Sequence, residues 1–300
     1  MKRLLAIVLS LTALAAAPAW AALNVLACEP EWTSLVREIA AERAKVTSAT
    51  TALQDPHHIE ARPALVAQAR RADLLVCTGA ELEIGWLPLL QRESGNAAIQ
   101  TGQKGHLDAA QFVRLIERPA ILDRAMGDVH AAGNPHLHLD PRNLLRVADA
   151  LARRLAELDP AGAAHYEARR ADFAARMQAA IARWEMEAAP LKGLPVVVHH
   201  KNWSYLADWL GLKVVADLEP KPGIDPSAAY LGQLLEKLKA QPARVVLRAS
   251  YQSPKASEWI AGQAGMRAVA LPFTVGGSGR ASDLFSLFDD TLARLLEAAR

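Results

Sequence analysis

Cysteine is scarce: Cys28 and Cys77 are the only two among 300 residues. Each ends a short apolar run, Asn24 to Cys28 and Asp73 to Cys77. A disulfide across a sheet and a pair of buried thiols both fit that placement, and two sulfurs with no metal-binding partner beside them make a poor zinc-thiolate site. Charge of one sign is also missing. Lys and Arg total 34 against 32 Asp and Glu, with no block long enough to track a nucleic-acid backbone, so nucleic-acid binding is not expected. Beyond the first twenty-one residues no apolar run approaches the roughly 20 residues a spanning helix needs. Catalytic signatures are absent too. There is no His-Glu-x-x-His, Ser204 and Ser250 do not stand in a Gly-x-Ser-x-Gly elbow, and Gly276-Gly277-Ser278-Gly279 lacks the Lys and Ser/Thr of a phosphate loop. That glycine stretch reads as a flexible turn.

The first twenty-one residues do carry a pattern. Basic Met1-Lys2-Arg3, an apolar run from Leu4 to Ala17 and the small-residue step Ala19-Trp20-Ala21 read as a cleaved secretory signal. Acylation at Cys28 is the weaker alternative, because that residue lies well past the apolar run and inside an expected strand. A chain of this length exceeds the usual single core, so two domains are expected.

Short apolar runs alternate with helical stretches from Asn24 to Leu90, and the rhythm returns from Pro195 to Leu271, followed by a final amphipathic helix from about Leu284 to Ala299. This predicts α/β architecture with parallel sheets in two Rossmann-like lobes. Between them, Pro141 to Leu158 and Ala161 to about Ala189 have helical spacing, with no Gly or Pro from Ala163 to Ala189. A rigid helical spine of roughly 40 Å follows. The expected organisation is a signal peptide over 1–21, an N-terminal lobe over 22–158, the spine over 159–190 and a C-terminal lobe over 191–300.

Seven of the nine histidines fall in three groups: His57 and His58; His130, His136 and His138; His199 and His200. Asp55-Pro56-His57-His58 and Asn134-Pro135-His136 each place a His after proline and before a helix, while Val196-Val197-Val198-His199-His200 ends a buried strand in a His pair. In α/β sheets such positions meet at the cleft where ligands bind. Three imidazoles suit zinc and its first-row neighbours and leave a fourth position.

These segments resemble the metal-specific solute-binding proteins of zinc and manganese ABC importers. Besides Asp55-Pro56-His57, Asn134-Pro135-His136 with Asp140-Pro141, and His200-Lys201-Asn202-Trp203-Ser204-Tyr205, the resemblance extends to Leu218-Glu219-Pro220-Lys221-Pro222-Gly223-Ile224-Asp225-Pro226-Ser227 and Tyr251-Gln252-Ser253-Pro254-Lys255. It implies that His57, His136 and His200 ligate the metal across an interlobe cleft, with His58 and His199 as second-choice neighbours. It also implies a periplasmic, monomeric protein with no enzymatic activity that delivers its ion to a membrane permease. Many relatives take a fourth ligand from an aspartate in the segment that here reads Leu271-Pro272-Phe273-Thr274-Val275-Gly276-Gly277, which contains no acid. Asp283, Glu60 or a water are the substitutes. His130 and His138 read as solvent-exposed loop residues, with a weak capture or transfer site as the second reading.

Three imidazoles favour Zn2+ over Mn2+, whose sites use more carboxylate oxygen. The rival readings are a zinc hydrolase with a three-His site and an adhesin-type surface protein, the latter without independent support in the sequence. A rigid spine predicts small lobe tilts rather than wide hinge closure. Because imidazole binds metal only when neutral, zinc affinity should fall as pH drops below about 6.5. Titrations at pH 5 and pH 7 check this, and equal affinity at both would count against a three-His site.

Overall fold

A computed structural model of the chain describes residues 22–119 and 127–300. The signal-peptide expectation over 1–21 lies outside the described residues. The N-terminal lobe runs β1 (Leu23–Ala27), α1 (Pro30–Ala40), β2 (Ala44–Ser48), α2 (Pro63–Arg71), β3 (Leu74–Cys77), α3 (Leu87–Ser94) and β4 (His106–Asp108). Next come α4 (Pro141–Leu158) and α5 (Ala163–Glu187). The C-terminal lobe continues β5 (Pro195–Val198), α6 (Ser204–Leu210), β6 (Lys213–Asp217), α7 (Ala228–Ala240), β7 (Val245–Ala249), α8 (Pro254–Ala264), β8 (Arg267–Leu271) and α9 (Leu284–Ala299).

Both sheets are entirely parallel, and their strand orders match: β2-β1-β3-β4 and β6-β5-β7-β8. The expected two-lobed α/β fold with a long connecting helix is therefore present. Two local readings differ. Residues 81–86, expected to begin a helix, form turns, because Ala80 and Glu81 take left-handed φ of 50° and 67°. The fourth strand, His106–Asp108, is too short to leave a periodic signal.

Helix α4 begins at a clear start signal: Pro141 occupies the first turn, and the Asp140 side chain accepts from Arg142 N–H at 2.9 Å. Helix α5 buries Tyr166, Phe173, Met177, Ile181 and Trp184 along one stripe. It packs on α1 and α4 from the first lobe and on α9 from the second. Trp184 shows how the second lobe is held. Its ring lies 5.0 Å from Phe288, and its indole N–H donates to Asp289 at 2.6 Å.

One buried apolar cluster runs through both lobes and the spine, from Val25 and Trp32 through Phe173 and Trp184 to Val196, Phe273 and Leu295. Separate clusters cover the outer sheet faces. A core shared in this way resists hinge opening, since separating the lobes would expose apolar surface at about 25 cal/mol per Å².

Cys28 and Cys77 form a disulfide joining the ends of β1 and β3, with Cα atoms 4.8 Å apart. Beside it, Glu29 and Glu83 are buried against each other, and Glu83 also accepts the Thr78 and Gly79 N–H groups. Burial pushes the Glu83 carboxyl up to about 8, and burial together with the neighbouring carboxylates of Glu83 and Glu31 raises Glu29 well above the carboxylate range. Replacing both cysteines by serine should lower unfolding free energy by about 2–4 kcal/mol, because the bridge closes a long loop in the unfolded chain. Denaturant unfolding of oxidised wild type beside the double variant checks this.

Candidate metal centre

The strand topology brings the sequence motifs to one place. In both lobes the order places β1 or β5 at the point where successive connections diverge, and the segments leaving the carboxyl ends of the strands face the cleft. His57 lies on the connection after β2, His200 is the second residue past β5, and His136 precedes α4. A ring nitrogen from each of these three histidines falls within 4.8 Å of the other two. All three residues are buried, at 7%, 1% and 6% exposure.

Each imidazole is oriented by an oxygen at Nδ1. Asp55 Oδ1 lies 2.7 Å from His57 Nδ1, Asn134 Oδ1 2.9 Å from His136 Nδ1, and Glu219 Oε2 2.6 Å from His200 Nδ1. Nδ1 donates in each case, which leaves the lone pair on Nε2. The Nε2 atoms of His57 and His136 are buried and have no hydrogen-bond partner in the protein, as the chemistry of metal-ligating nitrogens requires.

The Asx-Pro-His motif has a specific geometry behind it. Asp55 Oδ1 also accepts the backbone N–H of His57 at 3.0 Å, and Asn134 Oδ1 that of His136 at 2.9 Å. The side chain two residues upstream thus closes a turn over the intervening proline and fixes backbone and ring together. Asn134 can also donate, and its amide reaches the Lys201 carbonyl at 2.7 Å and Glu117 at 2.9 Å, linking the second motif to the segment carrying His200.

The remaining candidates separate. His58 faces outward, with its side chain 65% exposed and 3.6 Å from Asp128. His199 is buried and its Nδ1 has no partner, but it is not one of the three converging rings. Asp283 is not a ligand: it caps α9 by accepting Ser286 N–H at 2.7 Å. Glu60 is not one either, being exposed and paired with Arg62 at 3.1 Å. The segment Leu271–Gly277 offers the cleft a ring instead of an acid. Phe273 stacks 5.6 Å from His136 and 4.9 Å from His138.

His138 is not an exposed loop residue. It is 1% exposed, its Nε2 donates to the Phe273 carbonyl at 2.9 Å, and its Nδ1 lies 3.2 Å from Glu31 Oε1. Glu31 in turn accepts the Thr274 hydroxyl, so α1, the segment before α4 and the segment after β8 are stitched together. Sequence reasoning missed this seam, as well as the orienting roles of Asp55, Asn134 and Glu219. The repeated Asx-Pro-His step was the available signal for two of the three. His130 also differs from expectation. It is half-buried, with its ring 5.3 Å from that of His57.

A second grouping, Cys28, Cys77 and Glu83, has metal-like spacing, but its sulfurs are joined in the disulfide and present no thiolate.

Burial, followed by repulsion from His200 and His57, holds His136 well below the ordinary imidazole value. Burial likewise pushes His130 to about 3. Both rings are therefore neutral at pH 7 and zinc need not displace a proton from either, so the fall in zinc affinity expected from the sequence below about pH 6.5 does not arise at His136. The sign for folding follows: the metal-free fold keeps this contribution above about 6.5 and loses it as pH falls, because the unfolded chain takes up the proton first. Ring-proton NMR of metal-free protein should show His136 and His130 without titration shifts between pH 7 and 5, with His58 as the exposed comparison. A midpoint near 6.5 for His136 would contradict the burial argument.

Comparison with known proteins shows the family and the fold. The model of a family described as ZnuA, zinc-uptake complex component A periplasmic, matches residues 25–298. The chain is 30% identical over 120 residues to the high-affinity zinc uptake system protein ZnuA of Brucella abortus (strain 2308), a stretch covering 40% of this chain and 36% of that protein. It is 26% identical over 203 residues to the zinc-binding lipoprotein AdcA of Streptococcus pneumoniae serotype 4, covering 68% of this chain and 40% of the relative. The aligned stretches thus span less than half the length of these curated relatives. A crystal structure of ZnuA superposes with a TM-score of 0.76 at 26% identity, covering 93% of this chain and 98% of that one. A manganese-bound periplasmic metal-binding protein from Candidatus Liberibacter asiaticus shares the fold, with a TM-score of 0.75 at 17% identity over 93% of this chain and 100% of that one. Since the family match runs through both lobes, the spine and all three converging histidines, this chain belongs to the periplasmic zinc-uptake component A family.

Proposed function

We propose that this protein is the zinc receptor of an ABC importer: exported to the periplasm, it binds one Zn2+ through Nε2 of His57, His136 and His200 and releases it to a membrane permease. The observation that carries the reading is the convergence of three buried histidines within 4.8 Å, each with its other nitrogen already engaged by an oxygen. All-nitrogen ligation favours Zn2+ over Mn2+, which takes more oxygen ligands. The protein acts as a monomer and turns nothing over. The carboxylates attached to the cluster, Asp55 and Glu219, are spent on Nδ1 groups behind the ligands, away from the side where a general base for hydrolysis would be needed.

The N-terminal lobe, taken as 22–158, supplies His57 and His136, and the C-terminal lobe, taken as 191–300, supplies His200. Because the two share one core, capture and release use small tilts of His200 relative to the other pair, and docking on the permease supplies the distortion that frees the ion. The family and its zinc-binding relatives support this reading.

Titration of chelator-stripped mature protein with zinc should give one tight site per chain. Alanine at His57, His136 or His200 should each weaken binding by more than the roughly 10–100-fold that loss of a hydrogen-bond partner behind a ligand costs, with Glu219→Gln falling in that smaller range. Variants that match wild type would overturn the site.

A further inference from the structure

Three imidazoles leave zinc one ligand short of its tetrahedral preference. Among the described residues, neither acid considered from the sequence reaches the cluster, and the ring of Phe273 covers His136 from the side of the β8 segment. One further imidazole stands beside the cluster, outside the three whose nitrogens converge, with its ring 5.3 Å from that of His57. Resting on the zinc reading above, we propose that His130 is the fourth ligand, completing a four-imidazole site closed from the cleft mouth by the 127–133 segment.

The ring spacings carry the argument. With Zn–N distances of about 2.0–2.1 Å and tetrahedral angles, the centres of ligating imidazoles sit roughly 5 Å apart. The three convergent rings lie 5.5, 5.6 and 5.4 Å from one another. His130 stands 5.3 Å from His57, inside that range, and 6.5 Å from His136, so a short inward movement of one ring brings it to ligating distance. Its Nε2 is buried and has no partner, like those of His57 and His136. With His136 and His200 it lines the cavity of about 950 Å³ that opens between the lobes.

The segment bearing His130 is seated on both lobes. Asp128 N–H donates to the Pro222 carbonyl at 2.9 Å in the second lobe, and Ala131 N–H donates to Glu81 at 2.6 Å in the first. Gly127, at a φ of 82°, lies against the Pro222 carbonyl so closely that any Cβ would collide with it. Gly133 N–H then returns to the His130 carbonyl at 3.1 Å, leading directly into the Asn134-Pro135-His136 turn. His130 is therefore delivered by the same stretch of chain that fixes His136. The site would be all nitrogen, a donor set that disfavours Mn2+ more strongly than three histidines and a water.

The test uses full-length mature protein, with His130→Ala beside His58→Ala as the exposed control and His57→Ala as the site control. Zinc affinity is read by competition with a chromophoric chelator, and ligated ring nitrogens are counted in long-range proton–nitrogen spectra of the zinc-loaded protein. The expected result is four metal-bound imidazole nitrogens in wild type, three in His130→Ala, and a Kd raised more than tenfold by His130→Ala but unchanged by His58→Ala. Three bound nitrogens in wild type, or a His130→Ala Kd equal to wild type while His57→Ala binding collapses, would overturn the fourth-ligand assignment and leave the zinc reading standing. A slower association rate with unchanged Kd would also overturn it, because His130 would then act in encounter and not in the bound state. Absence of zinc binding by wild type would instead remove the reading on which the assignment rests.

Discussion

The hydrogen bond at each Nδ1 is the constraint on which the site depends. An imidazole with both nitrogens free can rotate and choose either tautomer; one whose Nδ1 is held by Asp55, Asn134 or Glu219 has a single direction for its remaining lone pair. Two of the three oxygens also hold the backbone of the residue they orient, so the ring cannot turn without opening the Asx turn. Three such restraints from separate segments leave buried nitrogens facing one another, an arrangement that is costly without an ion because unpartnered polar atoms lose their hydration.

That local order would be of little use if the lobes drifted. Four structural devices limit drift: the apolar cluster that runs through both lobes, the α5 helix with Trp184 docked on Phe288 and Asp289, the Glu31–His138–Thr274 seam, and the Asn134 amide bonded to the Lys201 carbonyl. The seam sits two residues beyond His136 and joins α1 to the segment after β8. Its groups are buried, so an exchange of any one of them would leave a partner unsatisfied in an apolar setting. Lobes joined in this way favour a preformed site over one assembled by wide hinge closure. The same fold recurs in solved structures at 26% and 17% identity to this chain.

Much of the fold was legible because its signals are local. Helix α4 carries its own start in Asp140-Pro141, α5 has an uninterrupted apolar stripe, and the alternation of short apolar runs with helices implied parallel sheets. The failures share a cause. The turns over 81–86 depend on left-handed backbone at Ala80 and Glu81, residues with no intrinsic preference for it, and β4 exists because Leu75 and Val76 offer an edge to pair with. His138 was misread because a histidine between two leucines in a loop shows nothing of Glu31 and the Phe273 carbonyl, which come from segments more than a hundred residues away on either side.

The sequence by itself determined which histidines follow a proline or a buried strand and which elements hold them, since proline stiffening, helix starts and apolar periodicity act over a few neighbours. It also determined that no carboxylate stands between Leu271 and Gly277. Only the tertiary structure decided that His57, His136 and His200 face one another, that Asp283 and Glu60 are committed elsewhere, that Cys28 and Cys77 are bonded, and that His130 lies beside the cluster instead of in solvent. Those outcomes depend on distances between segments far apart in the chain. Such distances are set by how two sheets and a shared core pack, and no local pattern encodes them.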